Sequence, residues 1–317
     1  MSFPDEFQEP TLENETEEDE EEEEEEENDE DAPPQERVLP FEIDNYEVFA
    51  KLTAKLHSAC YEATNKNTKS KCVIKYLPSR SRFRKFKDEK IEILGILNHS
   101  NIVSIERIIM QEDFNAIVMP FYKKGDLYER IFDNKKITLE NASKMMWGLV
   151  NVVKHMHCLS CIHGNISLSN ILVESKTKVI ITGFSMATMN KFIDSHGPMT
   201  LYTAPEVETT HKLTFATDVF ALGTVFYYLL MNTYEVNKDP SKLPQDAQVL
   251  LSGMVNPNPK KRFTIFHVAS NKFFYDHIPE IDMKNALVNV VGNRCLEVNT
   301  AIMEGETMIE GSDEILF

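Results

Sequence analysis

Residues Cys161 to Leu172 read C-I-H-G-N-I-S-L-S-N-I-L. An apolar pair, Cys161-Ile162, enters a polar turn that starts at His163. The turn ends in the run Ile171-Leu172-Val173, which has the character of a short strand. Downstream, Val179-Ile180-Ile181-Thr182-Gly183-Phe184-Ser185 repeats the pattern of apolar strand followed by turn. Two short strands with polar turns at matching ends suggest a shared site, so the flanking sequence must say what they belong to.

N-terminal to this stretch the chain is strand-rich. Tyr46–Ala50 and Ala59–Ala63 alternate as strands do, and the segment Leu52–Ala63 reads as an ordinary β-hairpin. Lys71–Leu77 is a third strand, ended by Pro78, and further strands are expected at Ile102–Ile109 and Asn115–Met119. Between them, Phe86, Ile91, Leu94 and Leu97 keep helical spacing. After Gly125 the character turns helical: Asp126–Phe132, Leu139–Leu159, Thr217–Met231, Asp246–Met254 and Ile265–Asn271. A strand-rich smaller half followed by a helix-rich larger half is an α+β layout.

The charge is unevenly placed. The net charge is −18 over 317 residues, yet residues 1–36 hold 20 of the 51 acids and no Lys or Arg. The remaining 31 acids nearly balance 33 bases. Such a segment cannot bury enough apolar surface to fold, so a disordered acidic tail is expected over residues 1–38. It is either a solvated tail, a polyanion for basic proteins, or a segment that folds back on the cluster Arg80, Arg82, Arg84, Lys85, Lys87. One short basic cluster with few aromatics argues against nucleic-acid binding. The N-terminus shows neither the basic nor the apolar region of a signal peptide. The longest apolar run, Val219–Met231, is too short to span a bilayer. An intracellular, non-membrane location is expected, cytoplasmic or nuclear. Cys158 and Cys161 have C-x-x-C spacing without a second pair, so ordinary buried thiols in a reducing compartment are expected rather than a zinc or redox site.

In this order and spacing the landmarks resemble the eukaryotic protein kinase superfamily, in its Ser/Thr branch. Cys72-Val73-Ile74-Lys75 resembles the V-A-I-K strand, and Asn98–Val103 resembles N-H-P-N-I-V. Val118–Tyr122 resembles the hinge, and His163–Asn170 the catalytic loop. Ala204-Pro205-Glu206 matches A-P-E, Asp218–Gly223 resembles D-x-W-S-x-G, and Asn258–Arg262 resembles D-P-x-x-R. The resemblance implies a two-lobed fold: a kinase-like domain over residues 43–275, with lobes 43–120 and 121–275, and a C-terminal extension over 276–317. It also implies that Arg262 pairs with Glu206, and that Asp218 accepts backbone N–H bonds from the loop. His163, Phe184, Leu94 and Ile105 would form an apolar spine joining the lobes.

The departures fall on the positions that carry chemistry. The glycine-rich phosphate cover would place glycines at Thr53, Lys55 and Ser58. The glutamate that holds Lys75 is Lys90; the adjacent Glu89 points about 100° away around the helix unless the register slips. The metal-binding aspartate is Gly183, and the second metal position, Asn170, is a neutral amide, a poor ligand for Mg²⁺. The catalytic base is Asn165, the arginine before it is Gly164, and the following lysine is Ser167. Lys75 and Asn170 remain as vestigial nucleotide-binding positions. Cys60, Val73 and Leu172 are expected to fill the adenine space, and Met199 stands at a usual threonine. Between Met231 and Pro244 the chain is shorter than the family's loop and helix.

The expected function is therefore that of a pseudokinase, a signalling scaffold or regulatory module. No obligate cofactor or metal is expected, with room for weak, metal-independent ATP binding. Two alternatives stand beside it: an atypical active Ser/Thr protein kinase, and an acidic-tail protein for basic partners.

Overall fold

The computed structural model describes residues 38–55, 58–78, 93–111, 114–133, 136–189, 193–194, 199–233 and 239–278. The expected tail at 1–38 except Val38, the cluster at 80–87, Glu89, Lys90 and the expected extension at 276–317 from residue 279 on lie outside the described residues.

Six antiparallel strands form the smaller lobe: β1 (Phe41–Ile43), β2 (Tyr46–Lys55), β3 (Ser58–Asn65), β4 (Lys71–Pro78), β5 (Arg107–Met110) and β6 (Phe114–Pro120). Their order is β1-β2-β3-β4-β6-β5. Alternation sends Tyr46, Val48, Tyr61, Ala63, Cys72 and Ile74 to one buried face, where they pack with Phe114, Ala116 and Val118. Cys60, Val73 and Lys75 take the opposite face and are half-buried. The β2–β3 hairpin carries irregularities between Val48 and Ala50 and between Lys51 and Thr53. Residues 93–96 form a short helix, α1.

Two of the strand expectations need correction. Ile102–Ile109 is not a continuous strand: Ile102 makes an isolated bridge to Ile181, and pairing with β6 begins only at Arg107. The backbone of 101–103 bonds instead across to the larger lobe, through Ile181 N–H to Asn101 O at 2.7 Å and Val103 N–H to Ile181 O at 3.0 Å. β1 lacked a strand signal because it is only three residues long.

The larger lobe comprises α2 (Leu127–Phe132), α3 (Leu139–Cys158), β7 (Ile171–Val173), β8 (Val179–Ile181), β9 (Ile193–Asp194), α4 (Pro205–Thr210), β10 (Lys212–Leu213), α5 (Phe215–Met231), α6 (Gln245–Met254), α7 (Ile265–Ala269) and α8 (Lys272–His277). The central helix α3 packs against α5, α7, α8 and β8. Its stripe Met145, Leu149, Val152, Val153 and Met156 is fully buried in one cluster with Leu222, Val225, Phe226 and Phe273. α5 starts on a reciprocal cap, Thr214 with Thr217, and ends where Asn232 turns left-handed at φ 51°. Asn232 Oδ1 then accepts the N–H of Ile137 at 3.3 Å. Between α5 and α6 the described residues hold a one-turn 3₁₀ helix, Pro240–Lys242. The cysteine expectation is corrected at one position. Cys60, Cys72 and Cys161 are in no disulfide, whereas Cys158 is disulfide-bonded, so the C-x-x-C pair does not act as a unit. Among the described residues, no helix is long and apolar enough to cross a membrane.

Candidate functional site

The loop from His163 to Asn170 is held by one buried carboxylate. Asp218, in the first turn of α5, is 1 % exposed. Its Oδ2 accepts the backbone N–H of His163 at 2.8 Å and meets His157 Nε2 at 3.0 Å; its Oδ1 accepts the N–H of Gly164 at 2.9 Å. A carboxylate with three partners meets the condition for burying a charge. His157, in the last turn of α3, carried no distinguishing signal in the sequence, since a histidine on an apolar helix face ordinarily reads as core.

His163 is fully buried. Its Nδ1 accepts the N–H of Asn165 at 3.1 Å, so the ring proton lies on Nε2 and is donated to Thr182 O at 3.1 Å. Burial holds its pKa below the ordinary histidine value, against the opposing pull of Asp218. The ring lies 4.8 Å from that of Phe184. Leu94 packs half-buried on the large-lobe cluster, and Ile105 is half-buried.

Beyond the loop, Asn165, Asn170 and Gly183 bond to one another. Asn170 Nδ2 donates to Asn165 O at 2.8 Å, and Asn165 Nδ2 donates to Gly183 O at 3.3 Å. Thr182 N–H reaches Asn170 O at 2.9 Å. Gly183 is left-handed at φ 84°, and a Cβ there would stand 2.5 Å from Asn170 Cγ and 2.6 Å from Asn170 Oδ1. The asparagine amide thus occupies the space that a side chain at 183 would need. The three residues supply no carboxylate, and this donor set does not fit a divalent cation that bridges phosphates. Among the described residues, no group of three His, Cys, Asp or Glu is placed to hold a metal ion.

Gly164 is also left-handed, at φ 70°, and a Cβ there would come within 3.2 Å of Leu213 Cδ1 and Met186 Cβ. Met186 belongs with Phe220 to a small apolar cluster built on Ala204, Val207 and Leu213. Sequence reasoning missed these residues because single apolar positions in a loop carry no periodicity. Ser167 Oγ lies 3.2 Å from Ser169 Oγ. Tyr202 is half-buried beside Tyr228, with ring centroids 6.1 Å apart, and burial pushes its hydroxyl up to about 12.

Arg262 is 3 % exposed and holds α4 against the rest of the lobe. It grips Glu206 with both guanidinium arms, at 2.6 and 2.8 Å, and donates to Ala216 O and Asn256 O, each at 2.9 Å. It also lies 5.0 Å from the Phe220 ring centroid. On the small-lobe side, Lys75 is half-buried on β4, opposite Cys60 and Ile117. Thr53 is exposed, while the side chains at 55 and 58 lie outside the described residues, as does Lys90. Cys60, Val73 and Leu172, expected to fill the adenine space, are all half-buried. Met199 is 44 % exposed.

The model of the protein kinase domain matches residues 46–274. Among curated proteins, the chain is 26 % identical over 202 residues to NUAK family SNF1-like kinase 1 of Mus musculus, covering 57 % of this chain and 30 % of the relative. It is 24 % identical over 267 residues to the probable serine/threonine-protein kinase MARK-C of Dictyostelium discoideum, covering 75 % and 34 %. It is 22 % identical over 274 residues to serine/threonine-protein kinase SIK2 of Gallus gallus, covering 76 % and 33 %. The chain spans about a third of the length of these relatives. With a strand-rich and a helix-rich lobe and a match over most of its length, the chain belongs to the protein kinase domain family.

Proposed function

We propose that this chain is a pseudokinase: a kinase-family domain that serves as a binding and regulatory module and transfers no phosphate. The observation that carries the reading is the amide of Asn170 seated against Gly183. Phosphoryl transfer in this family rests on positioning and on neutralising charge with metal ions. Here the residues at the base position and at both metal positions are bonded to each other. Asn165 is an amide and takes no proton from a substrate hydroxyl. Gly164 and Ser167 bring no cation. The apolar and structural positions, by contrast, keep their partners: His163 with Phe184, Asp218 with the loop, Arg262 with Glu206. No metal is required in this reading, and any nucleotide binding at Lys75 and Asn170 is weak and metal-independent. The partners are proteins, and the acidic residues 1–36 are suited to basic ones. The site of action is intracellular.

A second reading, an atypical active Ser/Thr kinase, draws on the serine/threonine kinases that the chain resembles. One experiment separates the two. The full chain is incubated with ATP and Mg²⁺, Mn²⁺ or Ca²⁺ and a panel of protein substrates, beside the Lys75→Met variant. Phosphate incorporation equal in the two is the expected result. Robust transfer that Lys75→Met abolishes overturns the pseudokinase reading and establishes the kinase.

A further inference from the structure

The turn at residues 98–101 is fastened to the larger lobe through Asn101. Asn101 Nδ2 donates to Val179 O at 2.7 Å, and Asn101 O accepts the N–H of Ile181 at 2.7 Å. Helix α3 leaves room for this side chain at Gly148, where a Cβ would stand 2.9 Å from Asn101 Nδ2. The next link along the chain is Val103 N–H to Ile181 O at 3.0 Å. The apolar residues on either side of the turn, Ile93, Leu97, Ile102 and Val103, belong to the large-lobe cluster and not to that of the sheet. A histidine orients Asn101. His99 Nδ1 accepts the N–H of Asn101 at 3.1 Å, so the neutral ring carries its proton on Nε2. The ring of His155, in the last turn of α3, lies 5.7 Å from that of His99, tilted by 35°.

Both rings are half-buried. His155 Nε2 is buried and has no hydrogen-bond partner. A neutral ring leaves that nitrogen unprotonated, whereas a charged ring holds a buried N–H there without an acceptor. Protonating His99 turns Nδ1 from an acceptor into a donor that faces the N–H of Asn101. Two charged rings at this separation also repel. The groups around His99 offer no compensation. From α3 it meets His155 and Lys154, both basic, and β8 brings only Val179, Ile180 and Ile181. The turn's own Asn98, Ser100 and Asn101 are not ionisable. Among the described residues, neither ring pairs with a carboxylate. Burial accordingly holds both rings below the ordinary histidine value, and His155 and Lys154 lower His99 further. We propose that His99 and His155 form an acid-released latch, closed while both rings are neutral, that fastens the 98–101 turn to β8 and α3. The latch is independent of whether the cleft transfers phosphate.

The test is hydrogen exchange of the full chain, read as protection factors so that the intrinsic pH dependence of exchange cancels. From pH 7.5 to pH 5.5 the N–H groups of Asn101, Val103 and Ile181 are expected to lose about tenfold in protection, the equivalent of about one hydrogen bond. The N–H of Phe226, in the buried core of α5, is expected to keep its own. His99→Asn offers an acceptor to the Asn101 N–H without titrating, and is expected to keep the three amides protected at both pH values. His155→Phe keeps a ring and removes the like charge, so release is expected at a higher pH than in the parent. Should His99→Asn fail to fold, the midpoint in His155→Phe decides alone. Protection at the three amides that does not change with pH overturns the latch. So does an equal loss at Phe226, or a pH response that the folded variants leave unmoved.

Discussion

The residue with the most concentrated duty is Arg262. Its side chain is wholly buried and its partner Glu206 is 15 % exposed. Removing one member of a buried pair leaves the other charge uncompensated, so Arg262→Ala is expected to cost about 3–5 kcal/mol, read from urea unfolding. Arg262→Lys should recover little, since an ammonium cannot reproduce the two-armed grip together with the bonds to Ala216 and Asn256. A loss below about 1 kcal/mol for Arg262→Ala would show the pair to be dispensable. Histidine gives a residue-scale pH dependence. The pKa of His163, His99 and His155 is lowered from the ordinary value of 6.5. Each is therefore held neutral in the fold but accepts a proton more readily once unfolded. Their contribution to stability is complete above pH 6.5 and is lost as the pH falls toward their lower folded values. The melting temperature should drop between pH 7.5 and pH 5.5. His163→Phe, which keeps the ring against Phe184, should flatten that drop even if it lowers the starting value. A profile as steep in the variant as in the parent would assign the acid sensitivity elsewhere.

At the scale of elements, α5 matters more than its length suggests, because its first turn places Asp218 under the loop. Thr214 fixes where that turn begins: Thr217 Oγ1 donates to Thr214 O at 2.7 Å and accepts the N–H of Thr214 at 2.8 Å. Thr217→Ala removes both bonds and is expected to cost about 1 kcal/mol. Hydrogen exchange should then quicken at the amides of His163 and Gly164, which depend on Asp218 for their acceptors. Fast exchange confined to the first turn of α5, with the loop unchanged, would mean that the carboxylate is positioned by other contacts. The segment after β8 is fastened differently. Gly164 is small enough for Met186 and Leu213 to close over it, and β9 pairs with β10 through Ile193 and Leu213. Gly164→Arg meets both a left-handed backbone and this apolar packing, and should cost about 1–3 kcal/mol, measured by thermal unfolding. A neutral or stabilising result would show that the segment yields easily at this point.

For the molecule as a whole, the division into a strand-rich and a helix-rich lobe was legible because periodicity switches sharply at Gly125. The motif order was legible because each landmark is local. What escaped the sequence was non-local or very short. Ile102 looked like strand but bonds across the lobes to β8 rather than along β6, a choice made by tertiary pairing. The two-residue strands β9 and β10 are too brief to carry a pattern. At the candidate site, residue identities were readable but their mutual contacts were not: nothing local to Asn170 says that its amide occupies the space beside Gly183. That contact leads to a consequence for nucleotide binding. A ligand bound only to the native state raises stability by RT ln(1 + [L]/Kd), about 2.7 kcal/mol at a hundredfold excess over Kd. If Lys75 and its face of β4 retain any affinity for ATP, Asn165, Asn170 and Gly183 offer it no carboxylate to recruit metal. The melting temperature in millimolar ATP should therefore be the same with Mg²⁺, with Mn²⁺ and with chelator. Gly183→Asp alone should not introduce a metal dependence, because the new carboxylate must first displace an amide that Asn165 O holds in place. A shift that requires Mg²⁺ in the parent chain would place a metal where this donor set offers none, and with it would fall the account of the cleft as a site closed on itself.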